Sequence, residues 1–236
     1  MNEITIGVDE VGRGCIMGPM CVAAVADLTG WRLAGIRDSK KIKSEHTRQV
    51  LANEIRHNLP WITIMVDSVA IDRFGIAACL LNAGKQVGQR LAERLRKAGL
   101  TAPISIIYDG NDHSDRLLPE LNATVKSIVR ADDSVFEVSA ASILAKVTRD
   151  NWIHKLVDID PKYAVYDLHQ NKGYGTPRHM LGLKKAGMSP LHRRVATRTF
   201  MGCEPARNDY VTHPITTTEE ASGAAGVGPG TVRRAS

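Results

Sequence analysis

Ile4, Ile6 and Val8 alternate with small or polar neighbours, and the alternation stops at two adjacent acids, Asp9 and Glu10. A period of two belongs to a half-buried strand, so the pattern predicts a strand over residues 4–8 with both carboxylates at its end. The next apolar run, 19–26, is nearly continuous and predicts a central strand, reached by a hairpin-like return over 15–18. Residues 61–66, 104–108 and 126–129 supply three more strand-like runs. Between them the period lengthens. Val50, Leu51, Ile55 and Leu59 form one stripe of a helix over 44–58 with Ser44 at its N-cap. Residues 71–98 predict a long helix with Leu80, Leu81, Val87, Leu91 and Leu95 in the core and an interruption at Gly84 or Gly88. A helix over 139–153 is rich in small residues, and a short one starts at Pro177 behind Thr176. Strands alternating with helices predict an α/β domain.

The strand ends carry the chemistry. Two neighbouring carboxylates repel each other unless a cation neutralises them, and Mg²⁺ or Mn²⁺ prefers such oxygen ligands. Gly12, Arg13 and Gly14 follow at once, an open backbone turn with one cation, suited to a polyanion. Residues 104–109 repeat the logic, an apolar run ending in Asp109 at a glycine turn. A crossover helix would bring Asp109 to the same sheet edge as Asp9 and Glu10. After the last short strand, either Asp132 or Asp133 offers a fourth acid.

Ser139 and Ser142 sit where a helix N-terminus would favour a phosphate, and Lys146 and Arg149 lie on the following turns, within reach of the same groove. The small residues of this helix also serve packing. Tyr174, a lone aromatic between Gly173 and Gly175, suits stacking on a base or sugar. The 189–194 stretch adds further cationic donors.

A net charge of +6 favours a polyanionic partner, and residues 204–236 are slightly acidic, so the basicity belongs to the body before them. The 236 residues hold 43% hydrophobic and 24% charged residues, ordinary for a soluble globular chain. No run approaches a membrane span and no signal-peptide layout opens the chain, so a cytoplasmic protein is expected. Cys15, Cys21, Cys79 and Cys203 show no zinc spacing and read as reduced thiols, with Cys21 and Cys79 in the core. From 204 onward Thr, Gly, Ala, Ser and Pro dominate without an apolar period, which predicts a disordered tail after a catalytic domain over 1–203.

Five motifs in order, Asp9 to Gly14, Asp38-Ser39-Lys40-Lys41, Tyr108 to Asn111, Ser139 to Asp150 and Asn171 to Thr176, closely resemble ribonuclease HII of the bacterial type. The resemblance implies a ribonuclease H-like fold, a mixed five-stranded sheet flanked by helices with a helical C-terminal part. It implies an endonuclease that cuts the RNA strand of RNA–DNA hybrids and 5′ of ribonucleotides embedded in duplex DNA. It selects Asp132, so that Asp9, Glu10, Asp109 and Asp132 would hold one or two Mg²⁺ or Mn²⁺ ions and leave 5′-phosphate and 3′-hydroxyl ends. Gly12, Arg13, Gly14 and Tyr174 would read the ribose, and Lys40, Ser139, Ser142 and Lys146 would face the substrate backbone. A monomer without a membrane partner is expected. Arg130 stands where the family usually has Lys, and Asn171 where relatives often have His. The alternatives are a non-catalytic hybrid-binding module, another two-metal nuclease of this fold acting on DNA, and the related ribonuclease HIII. The last usually carries an extra N-terminal domain, whereas Asp9 lies nearly at the N-terminus here.

Overall fold

The computed structural model describes residues 3–31, 36, 42, 44–111, 116–118, 121–201 and 218–221. Strands β1 (Ile4–Val11), β2 (Met20–Ala26) and β3 (Trp61–Val66) form an antiparallel meander. Strand β4 (Ile104–Asp109) lies parallel to β1, and β6 (Ala123–Ile128) parallel to β4. These five strands are the expected mixed sheet. Two short strands extend it, β5 (Arg116–Leu118) beside β6 and β7 (Thr218–Ala221) beside β3, giving the order β5-β6-β4-β1-β2-β3-β7. Within the stretch after 204, Thr218 to Ala221 pair antiparallel with Met65 to Ile62.

Strand alternation sorts side chains onto two faces. Ile6, Val8, Ile104, Ile106 and Tyr108 face helices α2 (Ser68–Phe74) and α3 (Ile76–Lys97) in one core. Cys21, Ala23 and Val25 face α1 (Glu45–Asn58) and α4 (Phe136–Ile159) in another. The helix expected over 71–98 breaks at Gly75 between α2 and α3, and Gly84 and Gly88 both remain helical. The Tyr108 hydroxyl donates to the Gly84 carbonyl at 3.2 Å, fastening α3 to β4. Cys15, Cys21 and Cys79 are buried free thiols, and Cys203 lies outside the described residues.

The position of α4 depends on one glycine in β1. A Cβ on Gly7 would stand 2.2 Å from the backbone of Glu137 and Val138, so only glycine lets the helix touch the sheet there. That contact carries α4 along β1 toward Asp9. The helical C-terminal part, α5 (Leu168–Asn171), α6 (Pro177–Ala186) and α7 (Arg194–Phe200), builds a third apolar cluster in which Ile16 and Met17 meet Ile153, Tyr166 and Leu183. No helix among the described residues is long and apolar enough to cross a membrane.

Candidate active site

β1 and β4 are parallel neighbours in the register Val8 to Tyr108, so Asp9 and Asp109, each one residue on, lie together where that pairing stops: Asp109 ends β4, whereas β1 runs on past its expected end, with Asp9, Glu10 and Val11 still paired to β2. Ile6 and Val8 point to the α3 side, and alternation turns Asp9 to the α4 side. Asp9 is buried, takes a hydrogen bond from the Ser142 side chain of α4, and accepts the Glu10 N–H at 2.8 Å. Burial pushes its carboxyl up to about 8; the charges of Glu10 and Asp109 push the same way, and the Ser142 bond opposes them. Glu10 is half-buried with the Arg13 guanidinium 4.0 Å away.

Asp109 Oδ1 accepts the Ala131 N–H at 2.7 Å, tying the end of β4 to the 3₁₀ turn Ala131–Asp133. The two acids of that turn diverge. Asp133 is exposed and pairs with Arg130 at 2.8 Å, whereas Asp132 is 2% exposed and faces inward. The buried Ser139 hydroxyl donates to the Asp132 carbonyl and, at 3.2 Å, to that of Val135.

A hard divalent cation fits the chemistry of these donors. All four are carboxylates, and a cation would offset the burial and the neighbouring negative charges that raise Asp9. In spacing the set is not closed: among the described residues no three His, Cys, Asp or Glu side chains converge as ligands.

A second set of contacts fixes the turn after β1. Cys15 and Tyr174 form an antiparallel bridge, and the Ile16 and Met17 N–H groups donate to the Gly173 carbonyl at 3.0 and 3.2 Å. A Cβ on Gly14 would lie 3.8 Å from the Tyr174 ring, so the two loops expected to read ribose are in contact. Arg149, fully buried, donates from Nε to the Pro19 carbonyl at 2.8 Å, from Nη1 to that of Lys172 at 2.7 Å and from Nη2 to that of Met17 at 3.2 Å. Its guanidinium also lies 6.0 Å from the centre of the Tyr174 ring. Gly12, at φ +93°, is required by the same arginine, because a Cβ there would meet Arg149 Nε at 2.3 Å. Arg193, 1% exposed, reaches the Gly18 and Arg13 carbonyls at 3.0 Å each. Burial pulls its guanidinium down to about 10.

The expected residues therefore divide. Asp9, Glu10 and Asp109 share one electrostatic neighbourhood with Ser142 beside them. Gly14 and Tyr174 meet, and Tyr174 is 39% exposed, available as a platform. Ser139 is too deep to touch a substrate and instead holds the Asp132 backbone. Lys146 is tied to Asp150 at 2.9 Å. Arg149 and Arg193, read from sequence as groove-facing cations, are buried clamps. Asn171, where relatives often have His, donates to the Tyr166 carbonyl at 2.6 Å and accepts the Gly173 N–H at 2.8 Å. Lys40 and the rest of the 38–41 motif lie outside the described residues. Sequence reasoning missed a buried imidazole pair, His179 and His192, beneath Tyr174. The one available signal was a histidine in the first turn of α6, directly after the tyrosine loop.

Residues 6–203 match the family model for ribonuclease HII. Ribonuclease HII of Rickettsia bellii (strain OSU 85-389) is 37% identical over 84% of this chain and 92% of its own length. The Neisseria meningitidis serogroup B enzyme of the same name is 36% identical over 82% and 92%. Ribonuclease H2 from Pyrococcus horikoshii OT3 superimposes with a TM-score of 0.61 at 26% identity, over 84% of this chain and 97% of that one. The chain belongs to the ribonuclease HII family and is a ribonuclease H enzyme.

Proposed function

We propose that this RNA–DNA hybrid endonuclease also cuts duplex DNA on the 5′ side of a single embedded ribonucleotide, leaving 5′-phosphate and 3′-hydroxyl ends. It acts as a cytoplasmic monomer, with Asp9, Glu10, Asp109 and Asp132 holding Mg²⁺ or Mn²⁺. The observation that carries this reading is the bridge between Cys15 and Tyr174, which joins the tyrosine loop to the turn leaving β1 beside Asp9. A platform and an open backbone at one strand end, with carboxylates at the same end, suit a substrate recognised at one sugar.

The bound ion supplies Lewis-acid activation of water and neutralises charge at the leaving 3′-oxygen. The chain's own residues do the selecting. Backbone groups of Gly12, Arg13 and Gly14 face the 2′-hydroxyl, the one atom that separates ribose from deoxyribose, so any base is accepted. Tyr174 stacks on the neighbouring sugar or base and fixes the register of the strand. The Arg13 guanidinium, half-exposed beside Glu10, contacts phosphate. Ser142 orients Asp9 through its hydrogen bond. Other exposed cations add salt-sensitive affinity without sequence preference.

The test is cleavage of a duplex with one ribonucleotide, beside an all-DNA duplex, in Mg²⁺, Mn²⁺ and EDTA. A metal-dependent cut 5′ of the ribonucleotide with the control intact is expected. Cutting of both duplexes would favour a general nuclease, and binding without cutting a hybrid-binding module.

A further inference from the structure

The two buried histidines beneath the tyrosine loop admit only one arrangement of protons. The Ser189 backbone N–H points at His192 Nδ1 at 2.9 Å. A backbone amide only donates, so that Nδ1 carries no proton and His192 is the Nε2–H tautomer. His192 Nε2 faces His179 Nε2 at 3.1 Å and must donate to it. His179 then carries its proton on Nδ1, which lies 3.0 Å from the Tyr174 carbonyl, an oxygen that only accepts. The two ends were assigned independently and agree. The result is a continuous relay: Ser189 N–H to His192, His192 to His179, His179 to the carbonyl of the tyrosine itself.

We propose that His179 and His192 are positioning residues that hold the backbone of Tyr174 through this neutral relay and so set the place of the ring against the ribose-reading turn. The inference rests on the stacking role given to Tyr174 above. His179 is 0% and His192 1% exposed, so neither imidazole touches the substrate. His192 also bridges Met17 on the turn opposite, so that one end of the relay is fixed to the loop carrying Gly14 and the other to Tyr174.

The relay leaves each ring one place for a further proton. It would enter at His192 Nδ1, which faces the Ser189 N–H and the Ser189 hydroxyl at 2.9 Å each, or at His179 Nε2, against the His192 N–H. Burial lowers both imidazoles, His192 to about 4. The Tyr174 backbone and Asp167 favour the cationic form of His179, and the Ser189 backbone that of His192, while the Tyr166 ring packs 5.6 Å from His179 and 4.8 Å from His192 without charge.

Nitrogen-detected imidazole NMR on the wild-type protein reads the tautomers directly. His192 as Nε2–H and His179 as Nδ1–H at pH 7 is expected; the opposite tautomer or a cation on either ring at that pH overturns the relay. The functional readout is the ratio of single-ribonucleotide to long-hybrid cleavage. His192→Leu keeps bulk and removes the donor, and should lower the ratio about tenfold, with His192→Gln, which restores an N–H toward His179, recovering most of it. Combined with Tyr174→Ala, His192→Leu should add nothing; additive losses would show that the histidine acts elsewhere and sink the positioning role. Tyr174→Ala alone leaving the ratio unchanged would overturn the stacking reading and the positioning role with it, while the NMR tautomers would be untouched.

Discussion

The acid edge and the tyrosine loop are built with opposite charge logic. At the edge, Asp9, Glu10 and Asp109 crowd together, and burial keeps Asp9 protonated up to about 8. Under the loop, Arg149 and Arg193 are buried and donate to the carbonyls of Arg13, Met17, Gly18, Pro19 and Lys172, with no ion pair to either among the described residues. Each half concentrates charge of one sign. The negative half rests on sheet strands, which packing holds in place, and a divalent cation would offset its crowding. The positive half rests on loops outside the sheet whose Ile16 and Met17 pack in the third cluster, and charge-assisted hydrogen bonds to their carbonyls replace the missing ladder. The difference teaches that clustered acids and irregular loops demand different supports, one a sheet and the other buried donors.

The strongest blow to the negative half is Asp109→Asn, which should lower cleavage by about 10³-fold while hybrid affinity changes little; turnover close to wild type would remove Asp109 from the metal set. Arg149→Met strikes the positive half. It leaves three carbonyls without their donor and should cost roughly 3–5 kcal/mol in urea unfolding, and a loss within experimental error would mean the loops hold themselves. The halves also respond oppositely to pH. His192 falls from an ordinary 6.5 to about 4, so the unfolded chain takes up a proton first. Its stabilising effect is complete above pH 6.5 and fades toward pH 4, a loss on the order of 3 kcal/mol that His192→Leu should abolish in the slope of stability against pH. Asp9 is raised instead, so its unfavourable burial grows as pH rises from 4 to 8. Asp9→Asn should therefore raise the Tm in EDTA at pH 8 by several degrees, and an unchanged Tm would deny the crowding. Smallest is Tyr174→Ala, expected to lower discrimination for a single ribonucleotide about tenfold in the paired-substrate assay.

The acid edge was legible because its logic is local. An apolar run reaching an acid marks a strand, though β1 runs on to Val11, and a register of parallel neighbours then brings Asp9 and Asp109 together. The choice between Asp132 and Asp133 needed the family resemblance, since both acids follow the strand in the same way; only the turn shows one outside with Arg130 and the other within. The loop supports were illegible for the converse reason. An arginine in a run such as His192, Arg193, Arg194 looks like surface charge, and its burial depends on carbonyls about 175 positions away. Ser139 misled by the same route, because α4 begins three residues earlier than its small residues suggested and puts that hydroxyl inside. The break at Gly75 was missed because Gly84 and Gly88 look equally disruptive, yet both are held in α3 by packing.

The clamp made by Arg193 has a bearing on when the enzyme becomes an enzyme. During synthesis Asp9, Glu10 and the N-terminal turn emerge first and Asp109 and Asp132 follow, yet the side chain that grips the Arg13 and Gly18 carbonyls comes 180 and 175 positions after them. A ribosome-bound chain halted before Ser189 would carry Asp9, Glu10, Asp109 and Asp132 with the turn held by Arg149 and the Gly173 carbonyl but without its Arg193 donor. Complete fastening of that turn is thus among the last things the nascent polypeptide acquires.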